Sequence, residues 1–366
     1  MMPSGSRPNR IYLDLTHVGR HVTGIERIAI ELFEKVPFEN ADVHTVRARG
    51  ILAMIVKQQL LFPLLALLHP SAVFVFPGFP PSPLMVMWRH RVVLYVHDLF
   101  LITRRHELGA KARAYMAWPF QFAVRRLRHF LVNSAKTRTE LVPFVAADAA
   151  ITLYRPPVGN VFDLSAAGRE LRDEAPRPLK LLAVGTVEPR KNYLYAAAIR
   201  QGLAAAGLED VEMHIVGRPG WGGDYERLAA ISGIHLHGYL PLTEARRVIE
   251  DADIYLATSH DEGLGLPLLE VQFAGLPVAA PDIPVFREVL GDSGTFIPAD
   301  DATAAARIIK DVMARDGWRA RQASCAIDNL HRWNSAAADD AARARAMFSS
   351  GIASVHGTAL TAIGGL

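Results

Sequence analysis

Short apolar runs alternate along this chain with stretches whose apolar positions recur every three or four residues. Residues 11–15, 72–76, 92–96 and 130–133 read as strands, since each is a β-type run bounded by turn or polar residues. After the first of them, Ile25, Ile28, Ala29, Leu32 and Phe33 fall on one helical face. Between about residues 156 and 178 this alternation lapses into proline, glycine and charge. It resumes with strand-like runs at 179–184, 212–216, 234–237, 254–257 and 277–280, again with helical spacing between them. Strands alternating with helices in both halves predict an α/β protein of two doubly wound parallel sheets. The expected domains are 1–165 and 176–350, with the last helix able to pack back on the first domain. Residues 351–366 are small and weakly patterned, and read as a disordered tail.

The most apolar stretch is 51–68. Lys57, Gln58 and Gln59 interrupt it and Pro63 would kink it, and a spanning helix needs about 20 apolar residues. A membrane-crossing segment, a membrane-surface helix and a plain buried helix are the three readings, the last being the default. Residues 1–10 are polar and run straight into a strand, without the apolar core of a secretory signal. Half the residues are hydrophobic and 21% are charged, which fits a globular chain and excludes a disordered one. The single cysteine, Cys325, excludes an intrachain disulfide and points to a reducing compartment, so the expected location is cytoplasmic.

The net charge of +3 hides an asymmetry: residues 1–175 carry +8 and the remainder −5. The excess includes Arg104, Arg105, Lys111, Arg113, Arg125, Arg126 and Arg128, interleaved with Tyr115, Trp118, Phe120 and Phe122. Such a surface suits nucleic acid, anionic lipid headgroups or a phosphorylated substrate, and equally a solvated helix face.

Ligands of doubly wound sheets bind beyond the carboxyl ends of the strands. Four such ends carry unusual residues. HVGRHVTGIER, residues 17–27, sets Gly24 at a helix start, where amides can meet an anion, although glycine also serves ordinary loop geometry. His97-Asp98 closes the run VVLYV as a polar contact, a general base or a structural histidine. LLAVGTVEPRKN, residues 181–192, delivers Gly185 and then Arg190-Lys191 to a loop that opens a helix. Two adjacent cations there suit a diphosphate, or form a plain surface pair. TSHDEGLGLPLLEVQFAGLPVAAPD, residues 258–282, separates Glu262 from Glu270 by seven residues, with Gly263 and Gly265 between them and Pro267 in a first helical turn. Glycines let backbone N–H groups approach phosphate oxygens, and Glu270, about one turn in, can accept hydrogen bonds from vicinal hydroxyls. The two acids read as hydroxyl-binding groups at opposite ends of one ligand, a poor fit to the roughly 5 Å carboxyl pair of a retaining glycosidase.

As a set, DEGLGLPLLE preceded by VGTVEPRKN and VGRPGW and followed by AGLPVAAPD resembles the retaining family-4 glycosyltransferases. Within that family the likeness is to bacterial mannosyltransferases of surface polysaccharide and lipopolysaccharide synthesis. It extends from about residue 11 to 348 and is densest over 181–296. It implies the GT-B fold, two Rossmann-like domains with parallel sheets facing a central cleft, the first on the acceptor side and the second binding the donor. By this resemblance Glu270 holds the ribose hydroxyls and Glu262 the donor sugar. The amides near Gly263, Leu264, Gly265 and Leu266 bind diphosphate and sugar, and Arg190 and Lys191 neutralise the diphosphate. TGIER, with Gly24, is similar to the family's glycine loop, VHDL brings His97 to the donor sugar, and RWN around residue 333 is similar to an aromatic landmark of the C-terminal helix. YRPPVGN, residues 154–160, and Gln-Phe-Ala-Gly, residues 272–275, depart from the family pattern.

The resemblance implies hexosyl transfer with retention, His97, Arg190, Lys191 and Glu262 being the catalytic group. No side chain is placed as a covalent nucleophile, so a front-face displacement is expected, with the diphosphate taking the acceptor's proton. No metal or other cofactor is expected: the donor region reads as lacking an Asp-x-Asp arrangement, and the 14 histidines show no H-x3-H or HExxH spacing on a predicted helix. The expected donor is GDP-mannose, with other GDP-, UDP- and dTDP-sugars as alternatives. The expected acceptor is a saccharide or lipid-linked molecule, at an anionic membrane surface on the cytoplasmic side, without nucleic acid. A nucleotide-sugar epimerase on the same fold would need a further acid/base group. A dehydrogenase is disfavoured because GRPGWGG, residues 217–223, lacks the dinucleotide spacing. A non-catalytic scaffold is disfavoured by the intact acids and cations.

Overall fold

The computed structural model describes residues 9–19, 24–35, 38, 41–104, 109, 113–167, 177–208 and 210–349. They form two compact units, each built on one six-stranded parallel sheet. In the first, β1 (Asn9–Leu15), β2 (Ala41–Arg47), β3 (Val73–Phe76), β4 (Val92–Val96), β5 (His129–Val132) and β6 (Ala150–Leu153) lie in the order β2-β1-β3-β4-β5-β6. In the second, β7 (Leu179–Val184), β8 (Val211–Val216), β9 (Ile234–Gly238), β10 (Ile254–Leu256), β11 (Val278–Pro281) and β12 (Gly294–Ile297) lie in the order β12-β11-β10-β7-β8-β9. Read from β9, this is the 3-2-1-4-5-6 order of nucleotide-binding sheets. Sheet growth reverses between β7 and β10, and in sheets of this order ligands bind at the carboxyl ends of the strands at that point.

The inner strands β4, β5, β10 and β11 are buried at every position, as expected of parallel strands covered on both faces. In the second unit Leu181, Ala183, Met213, Ile215 and Leu256 pack with Ile199 and Leu203 of helix Tyr193–Ala205 and with Ala306 and Ile309 of helix Ala302–Met313.

The division of the chain differs from the expected one. The first unit ends at Pro156 and regains the chain from Ala336, so the second comprises 157–335. Two polar clamps fix these points. Asn334 accepts from the Val158 amide (2.8 Å) and donates to its carbonyl (3.0 Å), tying the start of the second unit to its last helical turns. Six residues on, the fully buried Asp340 takes the Arg155 guanidinium (3.0 Å) at the end of the first. The helix Trp318–Ser349 carries both, and Trp333 between them is 1% exposed. The reading of 351–366 as a tail falls outside the described residues.

The stretch Ile51–Leu68 is continuously helical, with a π-helical turn at Lys57–Leu61 just ahead of Pro63, whose ring cannot donate to residue 59. Met54, Gln58, Phe62 and Ala66 form its buried face. Gln58 Nε2 donates to Asp14 (3.0 Å) and Thr16 (2.9 Å), and Tyr115 donates to its Oε1 (3.2 Å). The plain buried reading is thereby corrected. Ile51, Leu52, Val56, Leu60, Leu64, Leu67 and Leu68 are 47–76% exposed, and 28% of the segment is buried. With mean hydropathy 2.0 it is long and apolar enough to cross a membrane by length and composition, yet Gln58 fastens one face to the sheet.

The basic stretch also divides. Arg128 is 9% exposed, pairs with Asp148 at 2.6 Å and donates to the carbonyls of Arg126 and Leu127, so it holds the turn into β5. Arg126 lies over the Phe122 ring (4.5 Å), which stacks on Trp118. Arg105 and Lys111 are outside the described residues.

Candidate active site

At the reversal point, the loops leaving β7 and β10 bring three of the expected residues into contact. Pro189–Lys191 form a 3-10 turn that Asn192 ends in the left-handed region (φ 52°), redirecting the chain into helix Tyr193–Ala205. The turn throws Arg190 and Lys191 towards the β10 loop. Lys191 Nζ lies 2.6 Å from Glu262 Oε1, and Arg190 Nη1 lies 2.6 Å from Glu262 Oε2. Arg190 also donates to Glu188 (2.8 Å) and to the Asp261 carbonyl (2.9 Å), and Ser259 donates to Glu262 Oε1 (2.8 Å). The backbones are joined as well, by His260 N to Arg190 O and Thr258 Oγ1 to Lys191 O (both 2.9 Å).

Burial works against the Glu262 carboxylate, but Lys191 and Arg190 outweigh it and hold its pKa below the ordinary value. Burial likewise opposes the Arg190 charge, and Glu262 and Glu188 more than restore it. Glu262 and Arg190 therefore stay ionised at neutral pH. An anion brought to this corner would compete with Glu262 for both cations. The carboxylate it displaces is then left to accept hydrogen bonds from hydroxyls.

Two glycine-lined approaches shape this corner. A Cβ on Gly217 would lie 1.8 Å from the Gly185 carbonyl oxygen, and one on Gly220 2.6 Å from that of Val187. The glycines of GRPGWGG thus let the β8 loop close against the β7 loop, which sets the turn carrying Arg190.

Beyond Glu262, Gly265 adopts φ 84° and starts a short helix, Leu266–Glu270, with Pro267 in its first turn. A Cβ at Gly265 would stand 3.0 Å from Leu268 Cδ1. Gly263, Leu264 and Leu266 are buried, so what they can offer a ligand is backbone. A helix of five residues has little macrodipole, and the individual amides of this turn must serve. Glu270 ends it and is 4% exposed. Burial raises the Tyr255 pKa, and the charges of Glu262 and Glu270 both add to the effect.

His97 belongs to the first unit, immediately after β4. Its Nε2 donates to the Pro77 carbonyl (2.7 Å), which leaves Nδ1 as the acceptor of the neutral ring, and its own carbonyl accepts from Asn133 (2.8 Å). Burial lowers its pKa from 6.5 to about 4, with the Pro77 bond opposing. A depressed histidine binds its proton more readily when unfolded, so stability should rise with pH between about 4 and 6.5. Urea midpoints across that window should show the rise, and His97→Gln should flatten it. An unchanged slope in the variant would assign the rise to other groups. Gly24 begins helix Gly24–Ala29 and is exposed. Neither Gly24 nor His97 is in the unit that holds Arg190, Lys191, Glu262 and Glu270.

Asp251-Ala252-Asp253 does have Asp-x-Asp spacing. It stands at the amino end of β10, where Asp253 takes Arg177 and Arg319 and Asp251 takes Lys180. Its role is to bind strands together at the end of the sheet away from the candidate site. The sequence reading passed over Glu188, which orients Arg190, and Ser259, which orients Glu262. An acid two residues ahead of a cation in a strand-end loop was the available signal.

Residues 178–315 match the family profile described as glycosyl transferases group 1. That stretch runs through the second sheet from β7 to β12 and is similar to that family's domain. The chain is 33% identical over 204 residues to a D-inositol 3-phosphate glycosyltransferase of Geodermatophilus obscurus, covering 50% of this chain and 45% of that one. It is 34% identical over 155 residues to a phosphatidyl-myo-inositol mannosyltransferase of Mycolicibacterium smegmatis (40% and 39% covered), and 30% identical over 143 to O-antigen chain mannosyltransferase B of Escherichia coli (38% and 38%). The matched stretches span less than half the length of these curated relatives. Among solved structures, WaaG, a glycosyltransferase involved in lipopolysaccharide biosynthesis, superposes with a TM-score of 0.65 at 14% identity, covering 93% of this chain and all of that one. Anabaena HepE in complex with UDP and glucose gives 0.66 at 14% identity, with 93% and 100% covered. These likenesses establish the fold, which is GT-B.

Proposed function

We propose that the protein is a retaining, metal-independent hexosyltransferase that carries mannose from GDP-mannose to a saccharide or lipid-linked acceptor of surface polysaccharide or lipopolysaccharide synthesis. The observation that carries this reading is the convergence of Arg190 and Lys191 on Glu262 at the reversal of a nucleotide-binding sheet. In the step envisaged, the bond from the anomeric carbon to the diphosphate oxygen breaks while the acceptor oxygen bonds on the same face. The acceptor's proton passes to the departing diphosphate. Arg190, Lys191 and the amides from Gly263 to Leu266 stabilise the charge that grows there. Glu262 orients the sugar, Glu270 the ribose, and His97 offers Nδ1 to a sugar hydroxyl.

Mannose is favoured by the relatives named for mannosyl transfer, and GDP follows from mannose. A thermal-shift comparison of GDP, UDP, dTDP and ADP tests the donor, because a ligand at 100 times its Kd stabilises by about 2.7 kcal/mol. GDP should give the largest shift. A larger shift with UDP or dTDP would replace the donor, and no shift with any would remove the nucleotide-sugar reading.

The acceptor side rests on the first unit. Arg47, Arg49 and Lys57 line a groove of about 630 Å³ together with Val18, Gly19 and Ala53, beside the exposed apolar face of Ile51–Leu68. An anionic headgroup with an acyl or polyprenyl chain matches that juxtaposition, which supports a peripheral position on the cytoplasmic face of a membrane. Burying one leucine contributes about 1.5–3 kcal/mol and each nearby cation about 1 kcal/mol. The protein should co-sediment with anionic vesicles, less so at 1 M salt, where the Debye length is about 3 Å. Leu52→Ser with Leu60→Ser and Leu67→Ser should release it without unfolding it. Wild-type protein left in the supernatant at low salt would favour a soluble acceptor.

A further inference from the structure

One face of β8 and β9 gathers four side chains that glycosyl transfer does not use. Glu212 and His214 stand two apart on β8, and His235 and His237 two apart on β9, so strand alternation turns all four to one side. Val211, Met213 and Ile215 fill the other side as core. His214 is in register with His235, and their rings stack at 4.7 Å. His214 Nε2 lies 3.1 Å from Glu212 Oε2, and His235 Nε2 lies 3.9 Å from Glu212 Oε1. One ligand atom from each of these three residues falls within 4.8 Å of the others. A register shift between Ile215 and Val216 accompanies the approach of His237, whose Nε2 is 3.0 Å from His214 Nδ1.

We propose that Glu212, His214 and His235 bind a divalent transition ion of the zinc class, with His237 orienting His214. Two imidazole nitrogens and a carboxylate form a donor set that zinc, cobalt, nickel and copper accept, whereas magnesium and calcium prefer all-oxygen surroundings. Zinc holds such atoms at about 2.0–2.1 Å, which sets them about 3.4 Å apart in a tetrahedron. His235, whose side chain is 46% exposed, can rotate to close the remaining gap. With Nδ1–H donating to His237, His214 is left with its Nε2 lone pair for the ion, the outer bond that ligating histidines commonly make. Lys180 faces Glu212 in register on β7, but its ammonium is held by Asp251 at 2.5 Å. An ion here would tie the edge strand β9 to β8, stabilising the outer sheet without touching the donor loops. The two pairs have strand spacing, so they carry none of the helical histidine patterns that mark metal sites in a sequence.

The test is titration of the chelator-stripped full-length protein with zinc chloride by calorimetry, together with cobalt(II) visible spectra. Wild type should bind one zinc ion per chain saturably at micromolar concentration or below, undisplaced by millimolar magnesium, and cobalt should give d–d bands of nitrogen–oxygen ligation. His235→Ala and His214→Ala should each weaken binding at least ~100-fold, more than loss of an outer partner costs. His331→Ala, on the exposed surface of the long helix, should not. His235 is exposed, so its variant keeps the test valid if His214→Ala misfolds. Absence of saturable binding, or stoichiometric binding that His235→Ala leaves intact, would overturn the proposal. Neither result depends on the glycosyltransferase reading.

Discussion

Replacing Lys191 or Arg190 by alanine should lower turnover 100-fold or more, about 3 kcal/mol of transition-state stabilisation, while the fold survives. Both side chains are held by Glu262 and are 15–18% exposed, so the cost of burying them is offset by that pairing. When the diphosphate leaves, its charge rises in a corner where burial makes cations worth more than in water. The readout is release of nucleoside diphosphate from the nucleotide sugar with water as acceptor, which needs no knowledge of the natural acceptor. The two variants should differ in resting stability. Arg190 also bonds Glu188 and the Asp261 carbonyl, so Arg190→Ala should unfold earlier in urea than Lys191→Ala. Near-normal turnover in both would remove the diphosphate from this corner.

The second large effect separates the two acids. Glu270→Ala should weaken free GDP and GDP-sugar alike, by roughly 10- to 100-fold, as expected for lost hydrogen bonds to a charged group. Glu262→Gln should leave free GDP bound at least as tightly, since it removes the carboxylate that competes for Arg190 and Lys191, while cutting turnover by at least ~30-fold because the sugar loses its charged acceptor. Glutamine is preferable to alanine here. Truncating Glu262 would strand two largely buried cations, a change that costs about 3–5 kcal/mol in comparable pairs. The wild-type contribution of Glu262 to stability should be present above the ordinary carboxylate pKa and fade as pH falls through its lowered folded value. Calorimetry showing the reverse pattern would exchange the roles.

What the sequence revealed and concealed follows from burial. Every inner strand was legible, because strands covered on both faces are apolar runs: β4 and β7 match the expected bounds to the residue. The strands passed over were β2, β6 and β12, and all three are sheet edges. In β2, ADVHTVR, polar residues break up the apolar ones, and β6, AITL, is only four residues long with no fully buried position. The site acids and cations were legible because strand-end loops have no packing reason to carry them. Their mutual pairing was not, since a contact across 71 residues leaves no local pattern. Composition marks 156–178 as the boundary, and the first unit ends at its start, Pro156; the point of return at Ala336 left no local pattern, because Asn334 and Asp340 reach back from a helix nearly 180 residues later. The helix 51–68 was legible as helix and misleading as core, for apolar residues face outward there as well as inward.

The central claim is that a nucleoside diphosphate binds where β7 and β10 diverge. A crystal of the protein grown with GDP tests it most directly. The account predicts pyrophosphate oxygens within hydrogen-bond distance of both Arg190 and Lys191, each drawn off Glu262, with the ribose hydroxyls on Glu270. A nucleotide bound elsewhere, with Arg190 and Lys191 still paired to Glu262, would contradict it.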